Sequence, residues 1–229
     1  AAALAARRVA GIARRTGELL LRWFRAGNLQ GTWKPDYSLV TAADVEADRL
    51  LAREIAEAFP GERILSEELA TSIEGDASSP VWVIDPLDGT TNFSLGIEHW
   101  GISIARCDAD GPELGVLHFP VLGETLVASR GAGATRNGRP MHVHAPSSSM
   151  PLGVLACCSR TLRFHHVNLP MKARVFGSAA FPICGSAPTA ASAIASRRVI
   201  IATACVFVLG KRVAKSSVDD ILVTGPGAE

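Results

Sequence analysis

The chain has 229 residues, of which 48% are apolar, and its 23 basic and 22 acidic side chains give a formal net charge of +1. This composition excludes an intrinsically disordered protein, because it supplies enough apolar surface for one large core or two small ones. A nearly neutral chain also has no overall field that attracts nucleic acid or an anionic membrane. We therefore expect no nucleic-acid partner and no membrane partner, and any recognition of an anion must be local.

The first 25 residues predict an amphipathic helix rather than a transit peptide. They contain six arginines and a single acid, Glu18, which is a composition that transit peptides share. Their large apolar side chains, however, recur at helical spacing, with most arginines off that stripe. The stripe comprises Leu4, Ile12, Leu19, Leu20, Trp23 and Phe24. The expected location is the cytoplasm, and the longest apolar run is about half the length that spans a bilayer.

A capping box predicts a second helix. Thr41 is followed three residues later by Asp44, which is the spacing of a helix start. The helix is expected to run to about Phe59, where Pro60 and the following glycine end it. The segment before it, residues 27–37, is predicted to be a polar loop.

Short apolar runs after the second helix predict strands, so the chain belongs to the mixed α/β class. Two strands that end in acids are expected at 63–66 and 81–85. Turn residues 108–112 predict a hairpin of strands 100–107 and 113–119. A second hairpin is predicted from 124–129 and 139–144, and the middle of the chain is therefore expected to be a meander.

The last third has weaker patterns. Strands are predicted at 152–157 and 173–176, followed by an alanine-rich helix at 178–196. Residues 199–209 are rich in β-branched side chains, which favours a buried strand. A change of composition at 145–149 predicts a hinge between two halves of the chain.

Acidic side chains follow the first two predicted strands. Glu67 and Glu68 come after one strand, and Asp85 and Asp88 come after the other. If these strands are neighbours, the carboxylates converge and repel one another unless a cation lies among them. Hard oxygen ligands favour magnesium, manganese or calcium over zinc. The pattern therefore predicts a metal site.

The tetrapeptide from Asp88 to Thr91 has the residues that a phosphate site needs. Gly89 lets the backbone approach a ligand closely, and amides at a helix start can hold an anion. The alternative is an ordinary turn that leads into a helix, because most of these residues are common turn formers. The apolar strand before the turn and the paired glutamates upstream favour the phosphate site.

Residues 82–93, Trp-Val-Ile-Asp-Pro-Leu-Asp-Gly-Thr-Thr-Asn-Phe, resemble the signature of the inositol monophosphatase family. Residues 39–44 are similar to the family's upstream element, and 66–68 to its Gly-Glu-Glu, with serine in place of glycine. Residues 177–180 resemble the turn that contacts substrate. The resemblance implies a layered α/β/α/β/α sandwich of the inositol-monophosphatase and fructose-bisphosphatase type.

The same resemblance implies one phosphatase domain over residues 1–229. Its N-terminal half, 1–145, would bind the metal, and residues 150–229 would form a divergent C-terminal half. The implied metal ligands are Glu67, Asp85, the carbonyl of Leu87, and Asp88. Thr90 and Glu67 would position the attacking water, and Asp44 would lie behind the ligands or hold a further water.

Substrate contacts are implied in the same way. Asp88 and the amides of Gly89 and Thr90 would face the phosphate, and Ser178 and Ala179 would face the alcohol. The implied activity is hydrolysis of a small sugar or polyol phosphate, such as inositol-1-phosphate, by water activated by Mg²⁺, with Mn²⁺ as the alternative. Related enzymes act on histidinol phosphate, fructose bisphosphate or adenosine bisphosphate. Family members are commonly homodimers, so a homodimer is implied here.

The last third departs from the family pattern. Family members carry a Trp-Asp-x-Ala-Ala helix start whose aspartate binds a metal, whereas this chain has Ala202 or Thr203 at that position. Loss of an anionic ligand is expected to impair one metal site and to lower the rate. A competing hypothesis is therefore a degenerate, weakly catalytic or non-catalytic relative that binds metal and phosphate.

Overall fold

A computed structural model describes residues 2–27, 29–33, 39–66, 68, 79–141, 154–157, 172–175 and 178. The three helices in this part of the chain are α1 Ala2–Ala26, α2 Ala42–Ala58 and α3 Thr90–Ser94. The strands before the central hairpins are β1 Gly31–Trp33, β2 Leu39–Thr41, β3 Arg63–Ser66 and β4 Val81–Asp88. They are followed by β5 Gly101–Asp108, β6 Gly111–Phe119, β7 Glu124–Ser129, β8 Gly133–Arg136 and β9 Arg139–Met141, then β10 Val154–Cys157 and β11 Lys172–Val175.

A seven-stranded sheet is the centre of the described fold. Its strand order is β3-β4-β5-β6-β7-β8-β9, so from β4 onward each strand lies beside its successor in the chain. β3 and β4 are parallel, and every later pair is antiparallel. The predicted meander is confirmed, and the two acid-ending strands are neighbours, which is the condition for their acids to converge.

Helices α1 and α2 pack against each other and against one face of this sheet. The shared core contains fully buried side chains from both helices and from the central strands, among them Val9, Leu20, Leu51, Ile55, Trp82, Ile84, Ile102, Ile104 and Val116. Alternate strand residues outside that cluster are also buried, including Val83, Ala105, Leu117 and Ala128. Since successive strand residues point to opposite faces, the sheet is buried on both sides, as in the middle of a layered fold.

The predicted start of α2 is confirmed in detail. The Thr41 backbone amide donates to Asp44 Oδ2 at 2.8 Å, and the Asp44 amide donates back to the Thr41 hydroxyl at 3.4 Å. This reciprocal pairing satisfies two amides that the first helical turn otherwise leaves without partners. The helix ends at the predicted place, with Phe59 as its C-terminal cap.

Two predictions about strand pairing are wrong. The segments 124–129 and 139–144 do not pair directly, because β8 lies between β7 and β9. Asn137 and Gly138 both have positive φ, so the tight turn joins β8 to β9 rather than the two predicted strands. The predicted loop 27–37 also contains β1, which pairs with β2 in a small antiparallel ribbon.

The apolar stripe of α1 is confirmed except at its first member. Leu4 is 72% exposed, whereas burial on this helix begins at Ala6 and Val9. The predicted strands at 152–157 and 173–176 correspond to β10 and β11, which form a parallel pair. The predicted hinge, helix 178–196 and strand 199–209 lie outside the described residues, apart from Ser178. None of the helices in the described part is long and apolar enough to cross a membrane.

Candidate active site

Strand β4 continues three residues beyond its predicted end and passes through a bulge. Asp85 pairs with Ser103 and Asp88 pairs with Gly101, so two residues of β4 oppose one residue of β5 between them. Pro86 has no amide to donate to the ladder and is therefore tolerated at such an irregularity. The bulge brings Asp85, the Leu87 carbonyl and Asp88 to one end of the strand.

Asp85 is a buried carboxylate with an unsatisfied oxygen. Its Oδ1 accepts a hydrogen bond from the Leu87 amide at 3.1 Å, whereas its Oδ2 has no hydrogen-bond partner among the described residues. Burial raises the pKa of Asp85 well above its ordinary value, and the nearby charges of Asp88, Asp44 and Glu68 raise it further. The surroundings thus disfavour the negative charge of Asp85, and a cation beside it would relieve the repulsion among the carboxylates.

A second group joins α2 to the turn after β4. The Thr90 hydroxyl lies 3.0 Å from Asp44 Oδ1 and 3.1 Å from the Leu87 carbonyl oxygen. Burial raises the pKa of Asp44, although hydrogen bonds from Thr41 and Thr90 partly offset this effect. Thr90 is therefore held between two acceptors that belong to different elements.

Asp88 accepts a hydrogen bond from a residue that is distant in the sequence. The Ser178 hydroxyl donates to Asp88 Oδ2 at 2.5 Å across a separation of 90 residues. Both residues are almost completely buried. The structure thus brings two predicted substrate-binding residues together.

The turn between Asp88 and α3 depends on a glycine. Gly89 precedes the helix with φ of 95°, in the left-handed region that residues with a Cβ rarely adopt. A Cβ at this position would lie 3.0 Å from the His99 carbonyl oxygen and 3.2 Å from Ser178 Cβ. The loop is anchored in addition by Asn92, whose side-chain amide donates to the His99 carbonyl at 2.6 Å.

We expect Gly89→Ala to destabilise the protein by about 2 kcal/mol, because it adds a close contact to the roughly 1–2 kcal/mol cost of a left-handed conformation. Gly96→Ala is the matched control, since Gly96 has φ of 72° and a Cβ added there would meet no atom of the described residues within 4 Å. Urea unfolding should show the larger loss for Gly89→Ala. Equal losses for the two variants would mean that the contact with His99 and Ser178 costs nothing.

The oxygen atoms that the described residues offer as ligands suit a hard divalent cation. Asp85 offers a buried oxygen that has no partner in the described part of the chain, and the carbonyl of Leu87 retains a second lone pair beside its contact with Thr90. Among the described residues alone, no three His, Cys, Asp or Glu side chains form a group that could hold a metal ion. The predicted ligand Glu67 and the predicted substrate contact Ala179 lie outside the described residues.

Sequence reasoning missed one buried carboxylate near this site. Asp48 lies on α2 one turn after Asp44, and neither side chain is exposed. The available signal was its position, since Asp48 falls on the same stripe of the helix as Leu51 and Ile55. A charged residue on a core-facing stripe indicates a polar partner in the core.

Comparison with known proteins identifies the family to which this arrangement belongs. The model of the inositol monophosphatase family matches residues 6–205. The chain belongs to the inositol monophosphatase family. This family member is similar to a histidinol-phosphatase of Chlorobaculum parvum, with 38% identity over 58% of this chain and 51% of the relative. It is also similar to a fructose-1,6-bisphosphatase/inositol-1-monophosphatase of Thermotoga maritima, with 39% identity over 59% of this chain and 51% of the relative.

The fold of this family member is confirmed by a solved structure. The extragenic suppressor protein suhB of Bartonella henselae superimposes with a TM-score of 0.68 and 26% identity, over 85% of this chain and 82% of that one. The predicted layered α/β/α/β/α sandwich is therefore correct. The chain spans about half the length of the curated relatives described above.

Proposed function

We propose that this family member is a Mg²⁺-dependent phosphatase that hydrolyses a small phosphate monoester with water as the nucleophile. The observation that carries the proposal is Asp85, a buried carboxylate that has the charges of Asp88 and Asp44 nearby and one oxygen with no partner among the described residues. Membership of the inositol monophosphatase family and relatives named as phosphatases support the reaction class. Both relatives are longer than this chain.

The proposed metal ligands are Glu67, Asp85, the Leu87 carbonyl and Asp88. A bound Mg²⁺ would supply positive charge that acidifies a water molecule and offsets charge on the leaving oxygen. Mn²⁺ favours the same oxygen ligands and is the expected substitute. Asp85 would lose its repulsion with Asp44 and Asp88 when the cation is present.

Thr90 and Glu67 are proposed to orient the attacking water. The hydroxyl proton of Thr90 points to Asp44 or to the Leu87 carbonyl, since it lies within hydrogen-bond distance of both. The lone pairs of Thr90 Oγ1 are then left to accept a hydrogen bond from water. Asp44 acts in this proposal by fixing the direction of the threonine hydroxyl.

The phosphate is proposed to bind at the turn after β4. Gly89 lets the backbone approach a ligand, and the amides of Gly89 and Thr90 would donate to phosphate oxygens beside Asp88. Ser178, bound to Asp88, and Ala179 would contact the alcohol part of the substrate. A sugar or polyol phosphate such as inositol-1-phosphate is the proposed substrate class.

Phosphate release from a panel of monoesters tests this proposal directly. The panel contains inositol-1-phosphate, histidinol phosphate, fructose bisphosphate and adenosine bisphosphate, each assayed with Mg²⁺, with Mn²⁺ and with excess chelator. We expect release that requires the divalent ion and that is fastest for one of the four compounds. Release that persists at full rate in chelator would contradict a metal-dependent mechanism.

A second candidate function rests on the last third of the sequence. The only acids after Val175 are Asp219, Asp220 and Glu229, and none stands at the family's metal-binding aspartate. A chain that lacks this ligand would bind metal and phosphate but turn over slowly or not at all.

Restoring the carboxylate distinguishes the two candidates. If the missing ligand limits the rate, we expect Ala202→Asp to raise kcat by about tenfold or more, because each tenfold change corresponds to about 1.4 kcal/mol of transition-state stabilisation. Thr203→Asp covers the alternative alignment, and Ala202→Asn is the uncharged control. A native chain that is already fast, with no gain in either variant, would exclude the degenerate relative.

A further inference from the structure

Helix α2 presents two buried carboxylates on the same face. Asp44 and Asp48 are four residues apart, which places them one turn and about 6 Å apart along the helix. Asp48 is fully buried on a stripe that otherwise packs into the core through Leu51 and Ile55. A carboxylate in that position is costly unless hydrogen bonds compensate for the lost water.

The side chain of Ser66 provides such a bond to Asp48. Its hydroxyl lies 2.5 Å from both Oδ1 and Oδ2 of Asp48, and the serine is itself fully buried. Ser66 is the last residue of β3, and its pairing with Ile84 is the last register pair between β3 and β4. The bond therefore joins the middle of α2 to the end of β3, at the level where β4 reaches Asp85.

The two carboxylates of α2 thus accept hydrogen bonds from residues at or just after the ends of two neighbouring strands. Asp44 accepts from Thr90, just after β4, and Asp48 accepts from Ser66, just before Glu67 and Glu68. A rigid helix that is hydrogen-bonded near both strand ends sets the distance between the acids at those ends.

We propose that Asp48 and Ser66 are positioning residues for the metal site: their buried hydrogen bond holds the end of β3 so that the acids after it face Asp85. This inference rests on the proposed metal-dependent function. Neither residue touches the metal or the substrate in this proposal. A purely structural role predicts a loss of stability, whereas a positioning role also predicts a loss of metal affinity.

The test compares the Mg²⁺ affinity of purified variants of the whole chain by calorimetric titration, with kcat and KM measured in parallel. The variants are Ser66→Ala, Asp48→Ala, the double variant and the conservative Asp48→Asn. Thr16→Val is the matched control, because Thr16 is fully buried and its hydroxyl donates to the Ile12 carbonyl within α1. Circular dichroism establishes that each variant is folded.

We expect Ser66→Ala and Asp48→Ala each to weaken Mg²⁺ binding by about tenfold, the range seen when residues that orient metal ligands are removed. The double variant should be no weaker than the worse single variant, because both changes break the same bond. Asp48→Asn keeps an acceptor oxygen and should bind Mg²⁺ within about threefold of the native chain. Thr16→Val should unfold at a lower temperature with unchanged affinity.

Three negative results are distinguishable. Native Mg²⁺ affinity in both Ser66→Ala and Asp48→Ala, in a protein that still hydrolyses phosphate, would overturn the positioning role and leave the proposed function intact. A native chain that neither binds Mg²⁺ nor releases phosphate would overturn both. Equal weakening in Thr16→Val would assign the effect to general loss of stability and would also overturn the positioning role.

Discussion

Asp85→Asn is expected to reduce Mg²⁺-dependent phosphate release by at least ~100-fold, because a catalytic metal contributes several kcal/mol to transition-state stabilisation. Asparagine keeps the size of the side chain and one oxygen but removes the negative charge. The variant should also lose the increase in melting temperature that Mg²⁺ gives a protein that binds it only when folded. Both quantities are measured on one preparation, by phosphate release and by thermal unfolding with and without Mg²⁺.

Without Mg²⁺, Asp85→Asn should be more stable than the native chain at pH 7. Folding raises the pKa of the Asp85 carboxyl, so the protein loses stability as the pH rises above the unfolded pKa. The unfolded chain then releases the proton more readily than the folded protein, in which the charge would be buried. The asparagine of the variant carries no such charge and is not repelled by Asp44 or Asp88. A variant that loses phosphate release but gains stability without Mg²⁺ has lost a metal ligand and not its fold.

Asp110→Asn is the matched control for this change. Asp110 lies in the turn between β5 and β6, and its side chain is 89% exposed. The same chemical substitution there should alter neither phosphate release nor the stabilisation by Mg²⁺. Retention of full Mg²⁺-dependent turnover by Asp85→Asn would remove Asp85 from the proposed site.

The stability of the protein should fall between pH 7 and pH 4.5 in a way that depends on His118. Burial, together with the positive charge of Arg14, lowers the pKa of His118 from 6.5 to about 4, although the hydrogen bond with the Glu124 backbone partly offsets this effect. Its Nδ1 lies 3.0 Å from the Glu124 carbonyl oxygen, so the neutral ring donates from Nδ1. The other edge of the ring packs against Gly17 of α1, where a second proton would be buried.

The lowered pKa of His118 determines the direction in which stability changes with pH. Below pH 6.5 the unfolded chain gains a proton on His118 that the folded protein takes up only near pH 4, so acid favours unfolding across this window. The expected loss attributable to this residue is about 2 kcal/mol between pH 7 and pH 4.5.

Urea unfolding of the native chain and of His118→Asn at both pH values measures this loss. Asparagine places a donor near the position of Nδ1 and does not titrate. Other acid-sensitive groups contribute equally to both proteins and cancel in the difference. The same pH dependence in the two proteins would mean that His118 is not held neutral by the fold.

Local patterns in the sequence were sufficient for elements whose cause is local. The capping box of Thr41 and Asp44 involves residues three apart, and the β5–β6 hairpin follows from turn residues between two apolar runs. The acids after β3 and at the end of β4 were recognised because carboxylates at the ends of neighbouring strands converge, and the two strands are neighbours. The roles of Glu67, Thr90 and the other predicted site residues, the homodimer, the division at residues 145–150 and the cytoplasmic location remain predictions.

Other features depend on partners that are distant in the chain. β8 has no strong apolar pattern, and its strand conformation comes from pairing with both neighbours. The bond from Ser178 to Asp88 spans 90 residues, and no spacing rule relates them. Leu4 fits the helical stripe of α1, but whether it is buried depends on how far the opposing layer extends.

The amino-acid sequence alone determined the family, the order of the main elements in the described core and the acids available to a cation, because a contiguous motif and short-range periodicity carry that information. The tertiary structure decided which of those acids are buried, which oxygen of Asp85 lacks a partner among the described residues, and that Asp48 reaches Ser66. Burial and desolvation depend on the layers that close over a side chain. Those layers are assembled from segments far apart in the sequence.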